Sequence, residues 1–464
     1  MKLKRDLFTQ IYRMLLRFSV ENFRSFGKEA EVNTLPYSKL RQHRNHLQTH
    51  GGIDLLKTTM LYGANGSGKS NFVHALYVLQ RIIREGEIDN SLIDSFTLLN
   101  KFREQATQFL IEYAVDDQFY FYKIVIRHTT ILSEELYRTD PVKGSDKVLY
   151  QRKYDAEQDQ HRIQAAPELA TDERERIMIE VFQKNLLEDD IALLHLIGNN
   201  EVFPGLKDAY RWFDERLHVI FPQSRYASLL ESMLLDETFG AFINKVLPKL
   251  DTGLERLEIA TQPLSQFILP DGMEVMKRVE SELANKNNRF VGLFPLESNT
   301  PYLIERKDGQ EPVVHRLVTI HRCDSGDTDF RLDQESDGTL RMLDLLPAIR
   351  HLISEECVFV VDEIGRSLHP LLLREFLGKY LHEDTKGQLI FTTHDASLLT
   401  LDLFRRDEIW LVEKDDCGQS DFHSVSDYKI RHDLDIRKAY MDGRFGGIPA
   451  LNGLRFQKWS DAET

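Results

Sequence analysis

The chain has 464 residues, 42% of them apolar and 29% charged, which excludes a disordered polypeptide and leaves room for two or three domains, or one large domain with an insertion. Its formal charge of −15 excludes a global field that would draw it to nucleic acid, so any such contact needs a local basic patch or a partner protein. No apolar run approaches the roughly 18–20 residues that span a membrane, and the three separated cysteines, Cys323, Cys357 and Cys417, form neither a metal-ligand pattern nor a disulfide framework. A reducing cytoplasm fits this composition.

In chain order, the basic start MKLKRDLFTQIYRMLLRF is too interrupted by Asp6, Gln10 and Arg13 for a signal-peptide core. Met14 is an equally good start, with residues 1–13 an upstream extension. Residues 15–34 alternate apolar and polar and predict a strand, and Leu56–Tyr62 predicts a second. Gly63-Ala64-Asn65-Gly66-Ser67-Gly68-Lys69-Ser70 follows, then an amphipathic helix from Ser70 to about Arg84. This is the phosphate-loop pattern G-x-x-x-x-G-K-[ST]. Its glycines let backbone N–H groups turn toward phosphates, the helix N-terminus adds its dipole, Lys69 reaches the β- and γ-phosphates, and Ser70 ligates Mg²⁺. Asn65, Ser67 and Asn71 complete the expected nucleotide-binding set.

Residues 107–139 predict antiparallel strands, FLIEYAV and FYFYKIVI around Asp116-Asp117, then ILSEELY. From about 140 to 300 the pattern turns helical, with Ile177, Ile179, Val181 and Phe182, then Leu229, Leu230, Met233 and Leu234, at helical spacing and no long heptad array. The expected division is residues 1–140 as a first lobe, 141–300 as a mostly helical insertion for dimerisation or partner binding, and 301–464 as a second lobe. Strand character resumes at 301–322 around Asp308-Gly309. A βαβ rhythm follows, predicting an α/β core with a largely parallel sheet.

The apolar run Cys357–Val361 delivers Asp362 and Glu363 together. Paired with the phosphate loop, Asp362 is expected to hold Mg²⁺ and Glu363 to polarise the attacking water as general base. Ahead of it stands Glu335-Ser336-Asp337-Gly338-Thr339-Leu340-Arg341; behind it stand Ile364-Gly365-Arg366-Ser367-Leu368-His369-Pro370 and Leu389-Ile390-Phe391-Thr392-Thr393-His394.

About 290 residues separate the phosphate loop from the acidic strand. That order resembles the ABC-type ATPase head of SMC, RecF and OLD proteins, an α/β P-loop fold split into two lobes by an insertion. The resemblance implies ATP and Mg²⁺ as ligands. It makes Ser336, Gly338 and Thr339 a signature motif that docks on the γ-phosphate held by a second subunit, residues 364–370 a D-loop, and His394 a switch histidine. Asp337 and Thr339 stand where transporters commonly have Gly and Gln, so the match is to the non-transporter branch. The opening Phe18–Phe26 is similar to the start of such heads, with Arg24 near the nucleotide. A Q-loop glutamine is expected, with Gln105 and Gln108 as candidates.

Arg405–Trp410 and Tyr440–Pro449 are similar to segments of bacterial stand-alone ATPases of the AAA-type, abortive-infection or RloA-like group, related to PtuA of the Septu antiphage systems. This implies a homodimer, or higher even-numbered oligomer, that sandwiches ATP and serves as the regulatory subunit of a defence system. Its effector would be separate, such as a nuclease, because no nuclease constellation stands in this chain. The alternative is a repair or chromosome-maintenance ATPase that grips DNA directly. The mixed charges of Asp172–Arg176 disfavour that reading. A transporter ATPase subunit is disfavoured by the split head and the unusual signature.

Overall fold

The computed structural model describes residues 13–89, 91–169, 172–224, 229–250, 252–267, 290–293, 301–306, 310–324, 326–429 and 434–445. The proposed extension upstream of Arg13, the Asp308-Gly309 turn and Gly446–Pro449 lie outside them. Met14 sits inside a strand, Arg13–Glu21. The chain divides into two compact units: residues 1–222, 351–365 and 374–464 form the first, and residues 223–350 and 366–373 the second.

The first unit holds two large sheets and a two-stranded one, Leu47–His50 with Ile53–Leu56. In the six-stranded sheet the strands run in the order Leu217–Ile220, Val358–Val361, Gln388–Thr393, Thr58–Gly63, Ile409–Lys414, Ser420–Ser424. The first five are parallel and the last is antiparallel. Every residue of Thr58–Gly63, Val358–Val361 and Gln388–Thr393 is buried, as expected of parallel strands covered on both faces. The helix Lys69–Glu85 buries Phe72, Leu76, Leu79 and Ile83 in a core shared with Val358, Val360 and Ile390.

The second sheet is antiparallel and seven-stranded, in the order Gln160–Ala165, Ser145–Asp155, Thr130–Asp140, Gln118–Arg127, Thr107–Val115, Arg13–Glu21, Ala30–Asn33. Its inward residues Phe18, Val20, Phe109 and Ile111 join the same core. Gln388, fully buried, ties the two sheets. Its side-chain oxygen accepts from the Leu15 N–H (2.8 Å), and its amide donates to the Leu15 and Leu56 carbonyls (3.1 and 3.0 Å).

The second unit packs the helices Leu229–Leu235 and Glu237–Val246 against a five-stranded sheet that includes Leu254–Pro263 and Val313–Cys323. Phe239, Ile243, Leu257, Leu317 and Leu346 form its core.

The α/β core is as expected, and the division at 140 and 300 is not where the compact units fall. Residues 145–155 and 160–165 are strands that continue the antiparallel sheet, and Leu217–Ile220 enters the six-stranded sheet. The intervening helical segment is fixed by Glu134. Its buried carboxylate accepts from the N–H groups of Leu193 and Leu194 (2.7 and 2.8 Å) and from the hydroxyls of Tyr122 and Tyr150 (3.0 and 2.8 Å). A carboxylate at a helix N-terminus is favoured by the dipole and by the unpaired N–H groups there. Residues 301–350 belong with the second unit. Among the described residues no helix is long and apolar enough to cross a membrane.

Candidate active site

Three adjacent parallel strands end on the same edge of the six-stranded sheet. Thr58–Gly63 leads into the phosphate loop, Val358–Val361 into Asp362-Glu363, and Gln388–Thr393, which lies between them, into His394. The carboxyl edge of a parallel sheet is where open α/β folds place their ligands.

The loop turns on Gly68, whose φ of 113° suits glycine. A side chain there would also overlap the Ser420 hydroxyl on the edge strand Ser420–Ser424. Lys69 begins the helix and is buried, and its ammonium donates to the Gly63 and Ala64 carbonyls, both at 2.8 Å. Burial lowers the Lys69 pKa, while the Asp362 and Glu363 carboxylates pull it back up. The Ser67 hydroxyl is buried with no partner among the described residues, a donor that an entering phosphate oxygen would satisfy. Asn65 is exposed. Asn71 is engaged elsewhere: its amide donates to the Ser25 hydroxyl at 2.8 Å, bracing the turn at residues 22–26.

The Ser70 hydroxyl donates to Asp362 Oδ1 at 3.1 Å. Thr392 Oγ1 donates to the same oxygen at 2.6 Å and accepts the Glu363 N–H at 2.8 Å. Sequence reasoning passed over Thr392; its role depends on its strand lying between the other two. Glu363 has a φ of 48°, an uncommon left-handed conformation for a non-glycine residue that holds the half-buried carboxylate just past the strand. His394 is exposed one residue past its strand.

Among the described residues no group of three or more His, Cys, Asp or Glu could hold a metal alone. The Ser70 hydroxyl and Asp362 carboxylate are a hard-oxygen pair of the kind Mg²⁺ takes when phosphates and water complete its shell. These residues therefore fit the ion expected with a nucleoside triphosphate.

Ser336, Gly338 and Thr339 belong to the second unit. Ser336 is exposed before the helix Asp337–Ser354; its hydroxyl accepts the Thr339 N–H at 3.2 Å and lies 2.9 Å from Thr339 Oγ1. Thr339 is buried. Gly338 faces residues 366–373 of the same unit, where a Cβ would stand 2.6 Å from the Ser367 carbonyl oxygen. The turn at Gly338 and the segment after Glu363 are thus packed backbone to backbone.

Arg24 is ion-paired with Asp94 at 3.2 Å. Gln105 accepts the Asn22 amide through its carbonyl at 2.8 Å, and Gln108 pairs with Glu21 inside the antiparallel sheet. Neither occupies the edge that carries Asp362. The strand Leu217–Ile220 ends beside the acidic strand, where the Asp362 N–H donates to the Ile220 carbonyl at 2.8 Å. Phe221 stacks on His74 of the phosphate-loop helix (4.4 Å, 29°).

No curated protein matches the chain. Among solved structures, the SMC head domain from Thermotoga maritima is 12% identical with a TM-score of 0.34, covering 88% of this chain and 98% of that one. An Smc head bound to the C-winged helix domain of ScpA is 12% identical with a TM-score of 0.38, covering 92% and 99%. An Smc head with an extended coiled coil, bound to the C-terminal domain of ScpA derived from Pyrococcus furiosus, is 13% identical with a TM-score of 0.36, covering 93% and 99%. Likenesses this loose carry no argument about activity or partners. A family model described as "AAA domain, putative AbiEii toxin, Type IV TA system" matches residues 58–400, a span that includes the phosphate loop, Asp362-Glu363 and His394. The chain belongs to this AAA domain family.

Proposed function

We propose that this chain binds ATP with Mg²⁺ and hydrolyses it between two copies of itself, as a switch that controls a separate effector in a bacterial defence system. The carrying observation is the meeting of Lys69, Ser70, Asp362, Glu363 and Thr392 at one sheet edge. Lys69 would exchange its loop carbonyls for phosphate oxygens, a stronger partner for a buried ammonium. Ser70 and Asp362 would hold Mg²⁺, which supplies neutralising charge to the β- and γ-phosphates when bound. Glu363 would orient the attacking water and accept its proton, with His394 beside the γ-phosphate. Ser336, Gly338 and Thr339 would come from the second copy, since Ser336 is exposed at the start of the helix Asp337–Ser354, where the helix dipole favours an anion.

The defence assignment is supported by the family description, which names a toxin of a toxin–antitoxin system. The effector in this reading is a separate protein such as a nuclease. ATP turnover by purified protein tests the reaction: Lys69→Ala should fall to background, whereas equal turnover in that variant would remove the phosphate loop from the chemistry.

A further inference from the structure

From Val32 to Ile53 the sequence holds no Asp or Glu, yet it holds Lys39, Arg41 and Arg44 together with His43, His46 and His50. That is unusual in a chain with 74 acidic residues against 59 Lys and Arg. The stretch is pinned from beneath. The Tyr37 N–H donates to Asp407 Oδ2 (2.7 Å), Arg405 donates to the Gln42 carbonyl (2.7 Å), and His43 Nε2 meets the Leu401 carbonyl (2.9 Å). Asn45 donates to the Leu381 carbonyl (2.9 Å), and His46 Nδ1 lies 3.0 Å from Glu408. Arg405 and Asp407, the posts of this scaffold, are buried and doubly paired with each other at 2.9 and 2.7 Å.

The inward contacts use backbone atoms and the neutral polar side chains. Lys39, Arg41 and Arg44 are left exposed, and among the described residues none of the three has an ion-pair partner. Tyr37, 41% exposed, stands at the start of the same ridge. A recess of ≈ 470 Å³ beside Asn45 contains Lys57 and Lys386, but also Glu383 and Asp384, so it is electrically mixed. The unopposed positive charge lies on the loop.

We propose that residues 37–45 form a docking surface for the sugar-phosphate backbone of a nucleic acid. Unpaired cations on a preorganised loop are what phosphate positioning requires, and arginine forks match phosphate oxygens two at a time. The exposed tyrosine adds a face on which a base or sugar can lie. A polynucleotide is narrow enough to meet this ridge alone. An anionic membrane is a plane and would also meet the acidic surface of a chain carrying −15 charges. The proposal does not rest on the ATP reading.

The test is fluorescence anisotropy of labelled duplex and single-stranded oligonucleotides with the full chain, followed through a salt titration. The combined reversal Lys39→Glu, Arg41→Glu and Arg44→Glu should weaken binding by about tenfold or more and flatten the salt slope by about 2.7, at about 0.9 for each phosphate no longer neutralised. The control reversal Lys28→Glu, Lys101→Glu and Arg103→Glu changes net charge equally and should keep most of the binding. Should the reversed loop not fold, judged by its thermal midpoint, Arg41→Gln with Arg44→Gln reports the same loss in milder form. Equal weakening by loop and control variants overturns the proposal. So does a wild-type chain that ignores both oligonucleotides, whether or not it binds phosphatidylserine vesicles.

Discussion

Ser70 and Asp362 stand 292 positions apart in the sequence and share a hydrogen bond of 3.1 Å at the edge of one sheet. Thr392, from the strand between theirs, donates to the same carboxylate oxygen at 2.6 Å. Two hydroxyls thus fix the orientation of the acid, and one of them also holds the backbone of Glu363.

Thr392→Val keeps the shape of the side chain and removes both hydrogen bonds. The Glu363 N–H then loses its acceptor, which costs about 1–3 kcal/mol when the group is shielded from water. The expected outcome is ATP binding close to wild type with slower turnover and a lower thermal midpoint. Unchanged turnover would show that Thr392 does not set the position of Glu363.

Gly338→Ala places a methyl group 2.6 Å from the Ser367 carbonyl oxygen, too close for either backbone to stay where it is. Overpacking of this kind costs about 1–3 kcal/mol. The nucleotide loop lies in the other compact unit, so binding of fluorescent ATP should persist while turnover falls. Parallel loss of both, or of neither, would contradict the role given to the signature turn.

The buried Glu408–His46 pair carries a pH signature. Burial pushes the Glu408 carboxyl well above its ordinary 4.5, and burial together with Arg405 lowers His46 to about 3. A raised folded-state pKa gives stability that is complete below the unfolded value and is lost as pH rises toward the folded one. Glu408→Gln cannot ionise. Wild type should therefore lose ground relative to this variant as pH rises above about 5, by at most about 1.4 kcal/mol per pH unit. Urea unfolding of both proteins across that range measures the difference, and a flat difference would mean Glu408 is ionised in the fold.

The phosphate loop and the acidic strand were legible in the sequence because each is contiguous, and because strands buried on both faces read as unbroken apolar runs. Thr392 was not, since its task follows from strand order, which no local pattern encodes. Gln388 reads only as the first residue of an apolar strand, yet its amide joins two sheets through partners 332 and 373 positions away. Leu217–Ile220 is four residues long, too short to show a period, so the true extent of the first unit stayed hidden. The segment after residue 140 looked helical because its strands have polar outer faces: Ser145–Asp155 buries only Leu149, Tyr150 and Arg152.

The central claim is that ATP closes two copies of the chain and that Glu363 is the group that lets them part. The direct measurement is light-scattering mass of Glu363→Gln with ATP and Mg²⁺, alongside its steady-state turnover. Losing a positioned base slows the chemical step by about a hundred- to ten-thousandfold while leaving the phosphate contacts intact. The account predicts a stable dimer in ATP, a return to monomer mass without nucleotide, and turnover reduced to that degree. Turnover at the wild-type rate, or monomer mass in saturating ATP, would contradict it.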